Sequence, residues 1–165
     1  MQVAVCGPAT CTDEEARAAF EVGRHLVRRG AIVLCGGGTG VMSAVAAGAR
    51  SLDGLVVGVR PGLDAGAAAA DLSVVIATNL GEARNAVLVS SADAIIVVGG
   101  SWGTLSELAL AMRRARDLPA ESLPVVSLGG WRVLDATGAP VPGILEAIDP
   151  EHAVALACGD VTGTR

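Results

Sequence analysis

The sequence predicts an α/β domain with a doubly wound parallel sheet of six or seven strands and helices on both faces. Short runs of apolar residues, as expected of strands buried on both faces, alternate along the chain with segments of helical periodicity. Glycine-rich turns follow several of these runs directly. The 165 residues fit one domain, residues 1–165, with a loose tail after about residue 159.

The first half of the chain predicts three strands and two helices. Thr12 and Glu15 form a capping-box pattern at the start of the first helix, and Gly30 ends that helix. The second helix is rich in alanine and follows a run of glycines. The strands are expected at residues 2–6, 31–35 and 54–59, and the second helix at residues 41–50.

The second half continues the alternation of strands and helices. Its most apolar run, rich in Ile and Val, is the fifth strand. The strands are expected at residues 72–77, 93–98 and 123–128, and the helices at residues 82–90, 105–116 and 150–157. The Ala- and Gly-rich segment 64–71 fits either a loop or a loose helix.

Composition limits the possible partners. No apolar run reaches the roughly eighteen residues of a membrane span, and the chain enters a strand at once without a signal peptide, so we expect a cytoplasmic protein with no membrane partner. The net charge is −5 and the cations are scattered, which argues against a nucleic-acid partner.

The side-chain inventory excludes several chemistries. All twelve cations are Arg, so a Schiff-base lysine and a Walker-type phosphate lysine are both absent. The four Cys form no CxxC pair and the two His are far apart, so we expect no metal site and reduced cysteines that pack as small apolar residues.

Two glycine-rich turns stand where predicted strands lead into helices: the first glycine loop, residues 36–40, and the second glycine loop, residues 99–104. Ligands of a doubly wound sheet bind beyond the carboxyl ends of the strands, where helix N-termini attract phosphate. Glycine lets the backbone approach an anion closely. Tight turns alone could explain one such loop, but two at one edge favour binding of a phosphate-bearing small molecule.

The first glycine loop does not complete the dinucleotide-binding pattern G-x-G-x-x-G. Gly36 and Gly38 are spaced correctly, but Val41 occupies the place of the third glycine. The second strand also lacks an acidic residue at its end to bind a ribose. A hydride-transferring dehydrogenase is therefore disfavoured.

Four segments, in their order and spacing, resemble the LOG (Lonely Guy) family, whose members are often mislabelled lysine decarboxylases. The resemblance spans about residues 7–130. It implies a Rossmann-like homodimer or larger homo-oligomer that hydrolyses a nucleoside 5′-monophosphate to free base and ribose 5-phosphate, with Arg84 and Glu107 as the catalytic pair. The segments are Gly36-Gly37-Gly38-Thr39-Gly40-Val41-Met42, Val57-Gly58-Val59-Arg60-Pro61, Arg84, and Gly100-Ser101-Trp102-Gly103-Thr104-Leu105-Ser106-Glu107.

Three departures bring the chain closer to a neighbouring branch of the same family. The family's Pro-Gly-Gly is Gly99-Gly100-Ser101 here, the Lys after the arginine is Asn85, and the Met that opens the arginine motif is Gly81. The pattern is similar to short Rossmann-fold nucleotide-binding proteins and to the molybdenum cofactor carrier protein. This likeness implies a bound phosphorylated ligand without a settled enzymatic role.

Two candidate catalytic residues also have structural explanations. Glu107 lies three residues after Thr104 and could complete a capping box, or it could stabilise an oxocarbenium-like transition state or activate water at the ligand site. Arg84 could pair with Glu82 or Asp93 on the surface, or it could bind a phosphate in a bidentate way, which we favour.

Other residues near the loops are less specific. Trp102 could be an apolar rim residue or a stacking wall for a base or pterin ring. Thr78 and Asn79 are further possible polar contacts, whereas Cys6 and Cys35 are interpreted as packing residues.

The sequence therefore predicts a LOG-like nucleotide-binding protein that requires no cofactor and whose possible bound group is a nucleotide or molybdenum cofactor. It is either a phosphoribohydrolase or a non-catalytic carrier of molybdenum cofactor or a similar phosphorylated pterin. Besides Arg84 and Glu107, the predicted ligand-binding residues are Gly7, Gly36, Gly37, Gly38, Thr39, Gly40, Asn85, Gly100, Ser101, Trp102, Gly103 and Thr104.

Overall fold

Seven parallel strands form one sheet in the computed structural model, which describes residues 1–64, 68–120 and 122–159. The strands are β1 (Gln2–Cys6), β2 (Ile32–Cys35), β3 (Val56–Arg60), β4 (Val74–Ala77), β5 (Ala94–Val98), β6 (Val125–Leu128) and β7 (Ile144–Glu146). Their order in the sheet is β4-β3-β2-β1-β5-β6-β7. The chain thus starts near the centre, winds outward to β4, and returns beside β1 to wind outward the other way. The predicted doubly wound, Rossmann-like fold is confirmed.

In the described part of the chain, five α-helices cover the two faces of this sheet. They are α1 (Asp13–Arg28), α2 (Val41–Arg50), α3 (Arg84–Ser90), α4 (Trp102–Arg116) and α5 (Pro150–Cys158). One core cluster joins α1, α2 and α5 to the sheet face that carries Val5 and Ile96. A second cluster joins α3 and α4 to the opposite face, which carries Ala4 and Ile95. Alternate residues of the central strands therefore belong to different cores, as expected for a sheet buried on both sides.

The helices α1 and α2 pack unusually closely through glycine. A methyl group on Gly48 of α2 would overlap the backbone carbonyl of Phe20 in α1, and one on Gly23 of α1 would overlap the carbonyl of Val45. Apart from Arg50, every residue of α2 is at least half-buried. The low polarity of α2 is thus explained by its packing against α1 of the same chain.

Several predicted boundaries were wrong. β4 begins at Val74 rather than at residue 72, and the predicted helix 82–90 divides into a 3-10 turn (Gly81–Ala83) and α3. α4 begins at Trp102, one turn earlier than predicted, and β7 is a strand that the sequence analysis did not locate. In segment 64–71, residues 68–71 form bends and turns, while residues 65–67 and the predicted loose tail after residue 159 lie outside the described residues.

Within the described part of the chain, no helix is both long and apolar enough to cross a membrane.

Candidate functional site

The first glycine loop links the end of β2 to the start of α2 and is tied to the segment after β1. Thr39 Oγ1 donates a hydrogen bond to the Ala9 carbonyl at 2.9 Å, and the Val41 N–H donates to the Pro8 carbonyl at 3.1 Å. Gly40, with φ of +64°, is the N-cap of α2 and has no side chain with which to cap it. The start of α2 therefore faces the carboxyl edge of the sheet as predicted, but its first N–H and the Thr39 hydroxyl are already used.

Gly7, at the end of β1, has a clear packing role. A methyl group there would overlap the Val41 side chain and come within 2.8 Å of the Val98 carbonyl oxygen. The absence of a side chain thus lets α2 approach the ends of β1 and β5. This close approach accounts for Gly7 without a ligand.

Arg84 reaches from the first residue of α3 to the first glycine loop. A methyl group on Gly36 would overlap Nη1 of Arg84, so the guanidinium lies directly against the Gly36 backbone. Only 12% of the Arg84 side chain is exposed, and its Nε and Nη1 atoms are buried without a hydrogen-bond partner among the described residues. Buried donors without partners are costly and rare, so they indicate a missing acceptor.

The ion-pair partner of Arg84 differs from both surface alternatives. Nη1 of Arg84 lies 4.0 Å from Oε1 of Glu107. The Asp93 carboxylate instead accepts a hydrogen bond from the Gln2 backbone N–H at 2.7 Å. Arg84 therefore belongs to a buried pair at the carboxyl edge of the sheet, and the interpretation as a surface pair with Glu82 or Asp93 was wrong.

Glu107 lies in the second turn of α4 and faces the protein interior. It is 6% exposed and shares a buried helix face with Thr104, Leu108 and Ala111. The N-cap of α4 is Ser101, whose side chain accepts a hydrogen bond from the Thr104 N–H at 3.2 Å. The predicted capping box of Thr104 and Glu107 is therefore wrong, because α4 begins one turn earlier.

The carboxyl group of Glu107 is strongly perturbed by its surroundings. Burial raises its pKa to about 7, against the opposing effects of the Arg84 charge and of a hydrogen bond with the Cys6 side chain. Burial also raises the pKa of Cys6 well above its usual value and that of Cys35 to about 11, so both thiols stay neutral. Cys6 packs in the core, as interpreted, and in addition contacts Glu107, which the sequence analysis missed.

The second glycine loop presents an exposed aromatic pair. Trp102 is 78% exposed and its ring centroid lies 5.2 Å from that of Trp131, with the planes tilted by 42°. Trp131 Nε1 donates a hydrogen bond to the Ser101 carbonyl at 3.0 Å, which fixes the ring beside Gly100. Trp131 was missed as a site residue, although it follows Gly129 and Gly130 at the end of the neighbouring strand β6.

The polar side chains of the second loop are mostly engaged with one another. Thr104 is 1% exposed, and its hydroxyl lies 2.9 Å from the Ser101 hydroxyl. Thr104 was predicted to bind the ligand, but its hydroxyl is buried in this internal contact. Gly100 and Gly103 are exposed, so the loop backbone is the part that a ligand can approach.

Two further polar side chains have a buried atom without a partner among the described residues. Arg60, the last residue of β3, donates from Nη1 to the Gly37 carbonyl at 3.0 Å, while its Nε is buried without a partner in the described structure. Asn85, next to Arg84, is 3% exposed, and its Oδ1 is likewise buried and unpartnered. Arg60 was not predicted as a site residue, although its position at the carboxyl end of an apolar strand could have indicated one.

The arrangement suits an anionic ligand better than a metal ion. Arg84 and Arg60 place guanidinium donors around Gly36 and Gly37, and phosphate oxygens are the acceptors that arginine binds best. No group of three or more His, Cys, Asp or Glu side chains among the described residues could hold a metal ion. An open cavity of about 560 Å³ beside the second glycine loop is a separate feature, because neither arginine lines it and its lining includes the acidic residues Glu14, Glu15 and Asp149.

This sheet, with glycine-rich turns and an Arg84–Glu107 pair at its carboxyl edge, defines a Rossmann-like protein of the LOG type. The chain belongs to the SLOG cluster4 family, whose model matches residues 1–122. An uncharacterized protein of Archaeoglobus fulgidus is 41% identical over 136 residues, which cover 82% of this chain and 88% of that protein. A cytokinin riboside 5′-monophosphate phosphoribohydrolase of Mycobacterium tuberculosis is 32% identical over 144 residues, which cover 86% of this chain and 76% of that enzyme.

Similar solved structures include molybdenum cofactor proteins. The molybdenum cofactor binding protein of Rippkaea orientalis aligns with a TM-score of 0.85 and 28% identity, covering 98% of this chain and 97% of that one. The molybdenum cofactor carrier protein of Chlamydomonas reinhardtii aligns with a TM-score of 0.80 and 28% identity, covering 98% and 99% of the two chains. The predicted resemblance to the LOG family and its carrier-like branch is confirmed.

Proposed function

We propose that this protein binds a phosphate-bearing small molecule between the two glycine loops and carries it without turning it over. The observation that carries this proposal is the guanidinium of Arg84, which lies against Gly36 with two buried nitrogen atoms unpartnered among the described residues. A phosphate oxygen is an acceptor that satisfies such donors, and each charge-assisted bond of this kind is worth about 1.5–3 kcal/mol. The ligand class is therefore a nucleoside monophosphate or a phosphorylated cofactor.

The cargo we favour is molybdenum cofactor or a similar phosphorylated pterin. Its phosphate matches the arginine donors around the first glycine loop, and its pterin matches the exposed Trp102–Trp131 pair beside the second. The described residues offer no cluster of metal-ligating side chains, so the protein would recognise the organic part of the cargo. The two molybdenum cofactor proteins among the similar structures support this choice.

The second candidate function is hydrolysis of the N-glycosidic bond of a nucleoside 5′-monophosphate. Water would add to C1′ as the C1′–N bond breaks, and the base would leave with a proton. The observation in its favour is that Glu107, beside Arg84, has a pKa near 7, which suits proton transfer at neutral pH. Against it, Glu107 is only 6% exposed, which leaves little of its side chain open to a substrate or to water.

Ligand binding and turnover are separable by experiment. Native mass spectrometry of the purified protein should show co-purified phosphorylated cargo. Isothermal titration with AMP, ribose 5-phosphate and pyrophosphate should then detect binding of at least one. If the folded protein binds none of them, the site assignment fails.

Turnover is tested by following free adenine from AMP by chromatography. The carrier proposal expects slow or no release. Rapid release that drops about a hundredfold or more in Glu107→Gln, with folding intact, would overturn the carrier proposal and establish the hydrolase.

We further propose that the protein is cytoplasmic and forms a homodimer or larger homo-oligomer. One apolar surface available for a partner lies at the β4 edge of the sheet, where Val74 is 47% exposed, Ile76 46% and Leu80 51%. Light scattering at micromolar concentration should give at least twice the mass of the 16.4 kDa chain. A monomer mass would contradict this assembly.

A further inference from the structure

A second arginine approaches the first glycine loop from the side of β3. The backbone carbonyl of Arg60 accepts hydrogen bonds from the Thr78 N–H at 3.1 Å and from the Thr78 hydroxyl at 2.7 Å. Its side chain runs along Gly37, where a methyl group would come within 3.0 Å of Arg60 Cδ. Arg60 is therefore anchored at both its backbone and its Nη1 atom, with its Nε buried beside the loop.

Two cations thus contact neighbouring residues of one loop. Arg84 lies against Gly36 and Arg60 against Gly37, and each has at least one buried nitrogen atom without a partner in the described structure. Arg84 forms an ion pair with Glu107, whose Oε1 lies 4.0 Å from Arg84 Nη1. Among the described residues, two guanidinium groups but one carboxylate therefore lie at this loop, and the excess of positive charge favours an anionic ligand.

We propose that Arg60 is a second phosphate-binding residue and that Arg60 and Arg84, on the two adjacent glycines, select a terminal phosphate monoester. This inference rests on the proposed function and narrows its ligand class. A phosphate monoester carries about −1.5 to −2 charge near pH 7, whereas a phosphodiester carries only about −1. A terminal monoester also offers three free oxygen atoms, enough to accept from both guanidinium groups, whereas a diester offers two.

The test compares related ligands on matched arginine variants by isothermal titration. AMP and ribose 5-phosphate are the monoester probes, and 3′,5′-cyclic AMP and adenosine are the diester and neutral probes. Arg60→Gln should weaken binding of both monoesters about tenfold or more, as expected for loss of a charge-assisted bond. Arg60→Lys, which keeps the charge but loses Nε and the planar fork, should give an intermediate loss.

Arg50→Gln is the matched control. Arg50 also donates from Nη1 to a glycine carbonyl, that of Gly54 at 3.1 Å, but it lies at the end of α2, away from the glycine loops. This variant should bind AMP and ribose 5-phosphate like the wild type. Thermal melting followed by circular dichroism establishes whether each variant is folded. If Arg60→Gln does not fold, the affinities of Arg60→Lys are compared with those of the wild type instead.

The outcomes distinguish this inference from the proposed function. Wild-type preference for AMP over cyclic AMP, reduced in the Arg60 variants and unchanged in Arg50→Gln, would support the assignment. If the wild type binds AMP but the Arg60 variants bind it equally well, the role of Arg60 is refuted and the proposed function stands. If the folded wild type binds no phosphorylated probe, both are refuted.

Discussion

Oε1 of Glu107 lies 4.0 Å from Nη1 of Arg84, with 8% and 12% of the two side chains exposed. At this distance the two groups attract one another but do not form a hydrogen bond. The pair links α4 to α3 across the carboxyl end of β1, where Cys6 also contacts Glu107. Because the two side chains form no direct hydrogen bond, the Arg84 guanidinium keeps two nitrogen donors without a partner among the described residues, and these donors suit a ligand anion.

The first prediction concerns the pH dependence of stability. Because burial raises the pKa of Glu107 from 4.5 to about 7, the folded protein holds a proton that the unfolded chain releases. The contribution of Glu107 to stability should therefore be fully present below pH 4.5 and be lost as the pH rises through about 7. The slope between these limits approaches roughly 1.4 kcal/mol per pH unit.

Urea denaturation of the wild type and Glu107→Gln at several pH values measures this effect. The free energy of unfolding of the wild type, minus that of Glu107→Gln, should fall between pH 4.5 and 7 and level off above. The variant serves as the reference because all other titrating groups are shared. A difference that is constant across this interval would show that Glu107 has an ordinary pKa.

The second prediction concerns Gly36. A methyl group there would overlap Nη1 of Arg84 and lie 2.6 Å from the Met42 sulfur, so Gly36→Ala must displace both side chains. We expect a destabilisation of about 1–3 kcal/mol from overpacking and a clear loss of ribose 5-phosphate affinity. Gly62→Ala is the control, because a methyl group at Gly62 meets nothing within 4 Å. Wild-type affinity in a folded Gly36→Ala would argue against Arg84 as a phosphate ligand.

The third prediction separates base recognition from phosphate recognition. Trp102→Ala removes the most exposed ring of the aromatic pair, and aromatic stacking is worth about 0.5–1.5 kcal/mol. AMP should bind roughly two- to tenfold more weakly to this variant, whereas ribose 5-phosphate, which lacks a base, should bind unchanged. Leu55→Ala, an exposed apolar residue just before β3, is the control. Equal losses for both ligands would assign Trp102 a structural role instead.

The fourth prediction tests a contact that holds the α3–α4 layer together. Arg114 Nη1 donates to the carbonyls of Val89 and Ala92, each at 2.6 Å, at the C-terminal end of α3. Arg114→Ala should lower the free energy of unfolding by about 1–3 kcal/mol, since these carbonyls lose a charged donor. Arg116, whose side chain is 74% exposed and pairs with Asp117, provides the contrast.

Urea denaturation measures both variants. Arg116→Ala should change the unfolding free energy by less than about 0.5 kcal/mol, because exposed ion pairs contribute little. Similar effects of the two substitutions would mean that the Arg114 contacts do not stabilise α3.

Much of the fold was predictable because strands buried on both faces read as apolar runs. The central strands β1, β2 and β5 are of this kind, and their positions followed from the apolar runs in the sequence. The three-residue strand β7 was not predictable in this way, since Ile144–Glu146 carries no such run. Residues 144–146 form a strand because they pair with β6, and this long-range pairing is visible only in the tertiary structure.

The site was predicted less completely than the fold because helix boundaries decide which side chains face inward. We expected α4 to begin at residue 105, after Thr104, and this placed Glu107 in the first turn, where it could act as a cap. With Ser101 as the N-cap, Glu107 belongs instead to the buried face that carries Thr104 and Leu108. The spacing of these residues at i, i+3 and i+4 was the available signal.

The pairing of β5 with β6 also bears on where the chain can be cut. All five residues of β5 are buried, and one of its edges is covered by β6, which lies beyond the family-matching residues 1–122. In a fragment ending at residue 122, the backbone N–H and C=O groups along that edge of β5 would have no partner strand. Because β5 is wholly apolar, this exposed edge would promote self-association. It would also lose Trp131, whose indole N–H holds the Ser101 carbonyl at the start of α4. Truncation there should yield an aggregating fragment instead of a minimal binding domain.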